Sequence, residues 1–316
     1  MLRKNWTITR AKVSLQLRYR RLRKRAHRSR QNPTPGAVST TSSFAFKIAE
    51  RRRFVDTALV AGFDYTSPTK LEEKGSAKHL VESYGVGVPH TIAVFAADSI
   101  PWGQLPERFV LKPLLGAGSK GVFPLVRQSD GGFLNLLEGL QYNQDQVSQE
   151  LRRYSDKNCG VICEELIEGS STNSLPYDWK VYAFYGKVGL ILQRSVIGAG
   201  GVSQSRVKYY NNDWDSLGGI RSRSKYDPDL PLPKNGDEIL RVAAKLSQAI
   251  TCPFVRVDLY ENPLGQVVFG EFTSSPGGPQ VFDPVIDRVL GTMWEDAEAR
   301  LRLQDGSLGA WVAATL

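Results

Sequence analysis

The strongest structural signal in the sequence lies in two neighbouring stretches, FVRVDLYE at residues 254–261 and VVFGEFTSSPGG at residues 267–278. Apolar and polar residues alternate in both, which is the period-two pattern of β-strands, and a Pro-Leu-Gly turn joins them into a hairpin. Arg256 and Asp258 therefore share one face, and Glu271 can reach that face from the paired strand. Two converging carboxylates suit a Mg²⁺ ion that also binds phosphates. The alternative is a charge cluster on a solvated face.

A second hairpin is predicted upstream, where residues 178–188 read DWKVYAFYGKV. Asp178, Lys180 and Tyr182 share one face of its first strand. A lysine beside an acid on a strand face forms either a surface ion pair or a contact with a phosphate. Arg194, on the returning strand, has the same two interpretations.

A lysine strand precedes a glycine-rich loop, because residues 109–113 read FVLKP and residues 116–122 read GAGSKGV. A dinucleotide-binding motif needs a helix after its last glycine, but VFPLV at residues 122–126 favours a strand. The Lys-Ser/Thr ending of a Walker A loop is absent, and so are the H-R-D and D-F-G motifs of protein kinases. Two interpretations remain: a phosphate-binding loop beside Lys112, or a hairpin turn whose lysine reaches solvent.

The stretch ICEELIEG at residues 162–169 runs from apolar residues into acids and then a glycine. A strand edge beside carboxylates can bind an adenine amino group through backbone carbonyls and a ribose through a carboxylate. A strand that leads into a surface turn is the commoner structure for so short a pattern, and the pattern alone leaves both interpretations open.

The rest of the chain predicts a mixed α+β fold with several hairpins and no internal repeat. Strands are predicted over residues 88–95, 109–114, 121–127, 160–165, 179–184, 187–194, 254–260 and 266–271. Helices are predicted over residues 46–61, 76–84, 145–154 and 237–249.

The chain has 316 residues, of which 41% are hydrophobic and 23% charged, an ordinary globular composition with ample length for a core. Its net charge of +9 is unevenly placed, because twelve of the 41 Lys and Arg residues lie in residues 1–30, which contain no acid. The rest carries 29 basic and 32 acidic residues. We expect the basic segment to be a solvated arm, to lie on an anionic membrane surface or to contact nucleic acid.

Composition also excludes several classes of site. The histidines His27, His79 and His90 leave no imidazole after position 90, which excludes a Ser-His-Asp hydrolase or a histidine zinc site in the C-terminal two-thirds. Three cysteines predict buried thiols in a reducing compartment. We identify neither a signal peptide nor about 20 consecutive apolar residues, and we expect a cytoplasmic protein, peripheral to the membrane if residues 1–30 bind it.

Together these motifs resemble those of the ATP-grasp superfamily, and more narrowly its branch linked to teichuronopeptide biosynthesis, the TupA-like branch. That branch shows a lysine-led helix followed by Pro, then L-P-x-x-F-V-L-K-P, D-x-K and V-R-V-D-x-Y…G-E-x-T-x-x-P-G-G. In this chain the motifs stand at residues 74–89, 105–113, 178–180 and 255–278. The resemblance covers about residues 63–294 and implies an α+β ATP-grasp fold, in which two subdomains hold ATP between them.

For the nucleotide, the resemblance implies that Lys112 and Lys74 bind the phosphates of ATP, that a flap closes over them and that a hinge holds adenine and ribose. The expected flap residues are Gly116, Gly118, Ser119 and Gly121. The expected hinge residues are Glu164, Glu165, Leu166 and Ile167.

For the reaction, the resemblance implies that Asp258 and Glu271 bind Mg²⁺. Thr273 is a further candidate metal ligand, at a place where many ATP-grasp enzymes carry Asn and this branch carries Thr. The expected catalytic residues are Lys180, Arg194 and Arg256. Lys180 would reach the γ-phosphate, while the guanidinium of Arg256 would hold a substrate carboxylate or the acylphosphate formed from it.

The implied activity is that of an ATP-dependent carboxylate–amine ligase, which activates a carboxylate as an acylphosphate that an amine attacks to form an amide. Such phosphoryl transfer needs positioning and charge neutralisation, not a histidine base. The expected partners are an amino acid or other amine and a uronate-containing glycan or other carboxylate metabolite. A small-molecule kinase on the same fold is the alternative. A nucleic-acid-binding protein with a degenerate nucleotide site is disfavoured, because the lysines and carboxylates are intact.

We expect four segments along the chain. They are a basic tail and linker over residues 1–43, an N-terminal domain over 44–105, a small subdomain with the flap over 106–172 and a large subdomain with the metal site over 173–316. Loops at residues 198–225 and 274–281 are expected to contact the second substrate.

Overall fold

The computed structural model describes residues 42–62, 74–114, 121–154, 160–171, 173–195, 205–221, 224–277 and 280–304. The predicted basic tail lies outside these residues, as does most of the glycine flap (Gly116, Gly118 and Ser119). The described residues form two six-stranded sheets with flanking helices, which confirms the predicted α+β class. None of the described helices is both long and apolar enough to cross a membrane.

Five α-helices flank the sheets in the described part of the chain. They are α1 (Phe44–Val60), α2 (Lys74–Ser83), α3 (Gln144–Tyr154), α4 (Gly236–Ala249) and α5 (Pro284–Gln304). Helix α2 ends at Ser83, and Gly85, the residue expected to terminate it, follows in a turn with a φ of +69° that favours glycine.

The first sheet is built around the predicted lysine strand. Its strands are β1 (Thr91–Phe95), β2 (Arg108–Pro113), β3 (Phe123–Arg127), β4 (Phe133–Asn135), β5 (Leu140–Tyr142) and β6 (Val161–Glu165), in the order β1-β6-β2-β3-β4-β5. All neighbouring strands in it are antiparallel. Helix α3 covers one face and inserts Val147 and Leu151 into an apolar core.

The second sheet contains both predicted hairpins. Its strands are β7 (Asp178–Phe184), β8 (Lys187–Ser195), β9 (Arg206–Tyr210), β10 (Lys225–Tyr226), β11 (Val255–Glu261) and β12 (Val267–Thr273), in the order β10-β9-β8-β7-β11-β12. Neighbouring strands are antiparallel except β9 and β10. Strand β12 is therefore an edge strand that lies beside β11.

The two faces of the second sheet carry different cores. An apolar core joins one face to α2 and α4, and an aromatic core joins the other face to α1 and α5. On β7, Trp179 and Val181 belong to the apolar core, whereas Tyr182 and Phe184 belong to the aromatic one. Because side chains alternate along a strand, Lys180 lies on the aromatic face, where apolar packing gives way to charged groups.

Helices α1 and α5 pack closely at the start of α1. A Cβ atom at Gly291 would lie 2.5 Å from the backbone nitrogen of Ser43, so only glycine allows this approach. Ala45 N also donates a hydrogen bond of 2.8 Å to Asp287 Oδ1. Helices α1 and α2, predicted within an N-terminal domain, thus pack on the second sheet, while β1 pairs with β6 in the first. The domain boundaries stay a prediction.

The structure differs from the sequence predictions at short or interrupted elements. The strand predicted over residues 88–95 begins only at Thr91, because Pro89 has no N–H to donate to a neighbouring strand. The stretch 198–225 is not a loop throughout, since β9 lies within it and pairs with β8. Strands β4 and β5 and helix α5 were not predicted; β4 and β5 have three residues each, too few for a periodic pattern.

Candidate active site

A buried carboxylate in the first sheet lies between two lysines. Glu164 is 2% exposed, near the end of β6. Its Oε2 is 2.5 Å from Lys112 Nζ of β2, and its Oε1 is 2.7 Å from Lys78 Nζ of α2. Burial by itself would raise the pKa of Glu164, but the charges and hydrogen bonds of Lys112 and Lys78 outweigh it and lower that pKa. We call these three residues the lysine cluster.

Lys78 is a residue of this cluster that the sequence analysis missed. Its ammonium also donates to Pro89 O at 2.7 Å and to Thr91 Oγ1 at 2.8 Å, in addition to its ion pair with Glu164. The lysine singled out from the sequence was Lys74, one turn earlier, whose side chain lies outside the described residues. Helical spacing was the available signal, because Lys78 lies three residues before the buried Val81 in α2.

The predicted hinge begins at the lysine cluster. Glu164 directs its carboxylate at two ammonium groups. Its expected part in holding adenine and ribose stays a prediction. Glu165 is exposed, and its backbone N–H donates to His90 O at 2.9 Å. Leu166 and Ile167 are half-buried and continue the chain beyond the sheet.

The predicted flap connects β2 and β3, which pair antiparallel as the sequence indicated, with Leu111 opposite Phe123. Residues 115–120 lie outside the described part of the chain. Gly121 ends the loop with a φ of +71°, and a Cβ atom there would lie 2.9 Å from the Cβ of Tyr154. Glycine is therefore required where the loop returns to the sheet beside the end of α3.

A larger group of charged residues lies on the second sheet. We call it the carboxylate cluster, and its members are Asp178, Lys180, Arg194, Arg256, Asp258, Glu271 and Thr273. Adjacent strands bring these residues opposite one another: Asp258 pairs in register with both Lys180 and Glu271. Asp178 lies opposite Arg194 in the same way. The structure therefore brings together all of the residues that the sequence predicted for metal binding and catalysis.

Asp258 is the centre of the carboxylate cluster, with an exposed fraction of 1%. Arg256 donates two hydrogen bonds to its carboxylate, from Nε at 2.6 Å and from a terminal nitrogen at 2.7 Å, and Lys180 Nζ donates a third. Burial would raise the pKa of Asp258, but Arg256 and then Lys180 overcome it and lower the pKa to about 2. The carboxylate is therefore ionised.

Asp178 contacts two of the cations in this cluster. Its Oδ2 lies 2.6 Å from a terminal nitrogen of Arg194 and 2.9 Å from Lys180 Nζ. Its Oδ1 has no hydrogen-bond partner among the described residues. The sequence placed Asp178 on the same face as Lys180 but did not identify it as a site residue. The structure shows that it shares Lys180 with Asp258.

Glu271 differs from the other two carboxylates because 47% of its side chain is exposed. Reduced solvation beside the sheet, and then the charge of Asp258, raise the pKa of Glu271 to about 7. Its nearest described cation is a terminal nitrogen of Arg256, at 3.5 Å. The same nitrogen donates to Thr273 Oγ1 at 2.9 Å. The guanidinium of Arg256 thus contacts three oxygen-bearing side chains of the cluster.

The donor set fits a metal ion that takes only part of its ligands from protein. Among the described residues, no group of three or more His, Cys, Asp and Glu side chains is arranged to hold a metal. Asp258 and Glu271 lie directly opposite each other on adjacent strands, and Glu271 is open to solvent. Mg²⁺ is commonly held by one or two carboxylates together with substrate phosphates and waters. The two carboxylates fit such an ion, and they do not fit a zinc site.

Both clusters lie within a region of the chain that matches a known protein family. A family model described as TupA-like ATPgrasp matches residues 63–295, which include the lysine cluster and the carboxylate cluster. The matched region excludes α1 and ends within α5. No curated protein sequence matches the chain.

Several solved structures are similar to the chain at low identity. The VanG D-Ala:D-Ser ligase from Enterococcus faecalis is 18% identical with a TM-score of 0.49, over 79% of this chain and 68% of that one. The D-alanine-D-alanine ligase from Coxiella burnetii is 14% identical with a TM-score of 0.47, over 78% and 62%. The D-cycloserine synthetase DcsG is 14% identical with a TM-score of 0.45, over 79% and 81%.

Proposed function

The chain belongs to the TupA-like ATP-grasp family, a family of carboxylate–amine ligases, and from this premise we propose that it joins a carboxylate to an amine at the expense of ATP. One observation carries the assignment of the site. The ionised, buried Asp258 lies directly opposite the half-exposed Glu271, with Lys180 and Arg256 at hydrogen-bonding distance. This set of charges can bind a metal ion together with phosphate. Its buried members are not a charge cluster on a solvated face.

We propose that the lysine cluster binds the phosphates of ATP through Lys112. Pro89, Thr91 and Glu164 all contact the Lys78 ammonium, whereas the described partner of the Lys112 ammonium is Glu164 alone. Lys112 is therefore the lysine with protons to donate to phosphate oxygens. In this proposal Glu164 holds the two lysine ammonium groups in place. Glu165 and the backbone of Leu166 and Ile167 remain the candidates for binding adenine and ribose.

We propose that the carboxylate cluster binds the terminal phosphates of the same nucleotide. Mg²⁺ held by Asp258 and Glu271, with Thr273 as a candidate third oxygen, would neutralise phosphate charge during transfer. Lys180 lies against both Asp178 and Asp258, from where its ammonium can turn towards the γ-phosphate. Arg194, held by Asp178, adds a second positive charge on the same side.

The proposed reaction has two steps. An oxygen of the substrate carboxylate attacks the γ-phosphorus of ATP, which forms an acylphosphate and releases ADP. The amine then attacks the acyl carbon, the bond from that carbon to the phosphate oxygen breaks, and amide, phosphate and a proton result. Arg256 is placed to stabilise negative charge on the acyl group, because its guanidinium already spans Asp258 and Thr273.

For the substrates we propose the uronate of a glycan, or another carboxylate metabolite, and an amino acid or other amine. The resemblance to the TupA-like branch supports this choice. A screen of uronates and amino acids for ADP release that needs both partners tests it. ADP release without an amine, with a stable phosphorylated product, would indicate a small-molecule kinase instead.

An isotope experiment distinguishes the two reactions once a carboxylate has been found. A substrate labelled with ¹⁸O in its carboxylate should transfer one labelled oxygen to the released phosphate, because the acylphosphate loses phosphate by cleavage at carbon. A kinase that phosphorylates a hydroxyl would leave the phosphate unlabelled. Unlabelled phosphate alongside amide formation would contradict an acylphosphate.

We further propose that residues 1–30 hold the enzyme on an anionic membrane surface. The twelve basic residues of this segment are interleaved with Leu15, Leu17, Tyr19 and Leu22. Each basic residue near such a surface contributes about 1 kcal/mol of attraction. Deletion of residues 1–41 should abolish salt-sensitive binding to phosphatidylserine vesicles and leave ADP binding unchanged. Retained vesicle binding, or binding to nucleic acid only, would contradict the proposal.

A further inference from the structure

Helix α1 lies outside the region matched by the family, yet it is part of the second sheet's core. Its first residue, Phe44, is fully buried. The Phe44 ring lies 4.9 Å from Phe254 and 6.0 Å from Phe184 and Trp294, measured between ring centroids. The helix therefore has a fixed position relative to β7, β11 and α5.

Two arginines of α1 extend from this anchored helix to the carboxylate cluster's end of the sheet. A terminal nitrogen of Arg51 donates to Phe254 O at 2.9 Å and to Ser274 O at 2.7 Å. The neighbouring Arg52 donates to Pro276 O. The guanidinium of Arg51 is itself held 4.1 Å from the ring centroid of Trp294 in α5.

The two carbonyls that Arg51 binds are the ends of the strands that carry the proposed metal ligands. Phe254 directly precedes β11, and Ser274 directly follows β12. One nitrogen atom thus joins two strands at their open end. The next pair along the ladder is Arg256 opposite Thr273, and the pair two positions further is Asp258 opposite Glu271.

The part of the β11–β12 ladder that carries the site is short. The register of β11 and β12 shifts between Asp258 and Leu259, so an uninterrupted run of only three residue pairs holds the site. β12 is also the edge strand of the sheet. Because a bulge bounds one end of the run, the contacts at the open end decide how firmly Glu271 is held opposite Asp258.

We infer that Arg51 is a positioning residue for the site, and that α1 acts as a strap that fixes the open end of the β11–β12 run. The inference rests on the proposed function, because it assigns Asp258 and Glu271 to a metal-bound nucleotide. Arg51 keeps the distance between these carboxylates constant, and Arg52 extends the same constraint to the segment that follows β12.

Three variants test the strap. Arg51→Met keeps an unbranched side chain but removes both hydrogen bonds, and Arg51→Lys retains a donor that can reach one carbonyl. Arg53→Met is the matched control, because Arg53 lies on the exposed side of the same helix, with its guanidinium 5.8 Å from the ring centroid of Phe46. ADP affinity is measured by calorimetry with Mg²⁺ and in EDTA, together with the melting temperature.

Mg²⁺ increases the ADP affinity of the wild type by some factor, and in Arg51→Met that factor should be smaller by about fivefold or more. A change of this size corresponds to about one hydrogen bond. Its ADP affinity in EDTA should stay within about twofold of the wild-type value, because Lys112 lies in the other sheet. Arg51→Lys should recover part of the gain, and Arg53→Met should keep all of it. A folded Arg51→Met variant with a lower melting temperature but the full Mg²⁺ gain would show a structural role only and overturn the inference.

Hydrogen exchange separates this inference from the proposed function. In the nucleotide-free protein, peptides that cover residues 267–277 should exchange faster in Arg51→Met than in the wild type, while those over residues 108–113 should not change. If Mg²⁺ gives wild-type protein no gain in ADP affinity, the proposed metal site is wrong. Unchanged exchange over residues 267–277 would overturn the strap whatever the nucleotide result.

Discussion

The lysine cluster and the carboxylate cluster are each built around a buried carboxylate, but they differ in the charged groups that surround it. Each holds a buried carboxylate, Glu164 or Asp258, between two cations. Among the described residues, the lysine cluster has two cations for one carboxylate, whereas the carboxylate cluster has three cations for three carboxylates. The first therefore has an excess of positive charge, and the second is balanced until a carboxylate is protonated.

This difference assigns the two clusters to different parts of a metal–nucleotide complex. An excess of ammonium groups attracts phosphate directly, without a metal. A balanced cluster has no excess positive charge to attract phosphate, and a cation bound beside its half-exposed carboxylate would supply that charge. One ligand that meets both conditions is a nucleotide whose terminal phosphates carry Mg²⁺. Substitutions at four places test this comparison, and their expected effects decrease in the order Asp258, Glu164, the two lysines of the lysine cluster and Arg256.

Asp258→Asn should have the largest effect, because it leaves Lys180 and Arg256 without their shared carboxylate in a buried position. Breaking a buried ion pair on one side costs about 3–5 kcal/mol of unfolding free energy. Denaturant unfolding measures the loss. Glu238→Gln, which removes a carboxylate paired with the exposed Arg241 on α4, is the control and should change stability little. Equal stability of Asp258→Asn and the wild type would contradict the buried network.

Glu164→Gln should destabilise the protein by about 3 kcal/mol at neutral pH, since two lysines lose their common charge. The pKa of Glu164 is lower in the folded state than its ordinary value of 4.5. Its stabilisation is therefore complete above that value and is lost as the pH falls through the folded-state pKa. Unfolding of both proteins across this range should show the difference shrinking towards acid pH. A difference that does not depend on pH would contradict the ion pairs.

Lys112→Met and Lys78→Met compare the two lysines of one cluster. Lys112→Met should weaken ADP binding about tenfold or more, the effect of a lost charge-assisted hydrogen bond to phosphate. Lys78→Met should lower the melting temperature further, because Lys78 joins α2 to Pro89, Thr91 and Glu164. Calorimetry and thermal unfolding of both variants check this division. The opposite order of effects on ADP binding would exchange the two roles.

Arg256→Lys should have the smallest effect. The positive charge remains, but an ammonium group cannot make both the bidentate hydrogen bonds to Asp258 and the hydrogen bond to Thr273. We expect amine-dependent ADP release to fall about tenfold in kcat/KM, equivalent to ~1.4 kcal/mol. A normal rate with a lowered melting temperature would make Arg256 a structural residue.

The sequence predicted the strands that carry both clusters because their patterns are long and regular. Arg256, Asp258 and Glu271 could be placed on one face by alternation alone, and the structure puts them there. Lys180 and Arg194 were predicted with two interpretations each, because alternation gives the face of a strand but not the partner across it.

Other features could not be predicted because they depend on contacts far apart in the chain. Glu164 was expected in the hinge for adenine and ribose, and only the approach of α2 to β6 shows that Lys78 contacts its carboxylate. Arg51 lies 203 residues from Phe254 and 223 from Ser274, and no local pattern connects them. Asp178 has an ordinary strand position, and its role follows from the register that places Arg194 opposite.

ADP titrations of Lys112→Met and Asp258→Asn show whether one nucleotide spans both clusters through a metal ion. Each variant, with the wild type, is titrated by calorimetry in Mg²⁺ and again in EDTA. Lys112→Met should bind ADP more weakly in both conditions. Asp258→Asn should lose the Mg²⁺-dependent gain yet bind ADP in EDTA at least as tightly as the wild type, because it lacks a carboxylate that repels phosphate. Equal weakening of Asp258→Asn in both conditions, or an unaffected Lys112→Met, would contradict the account.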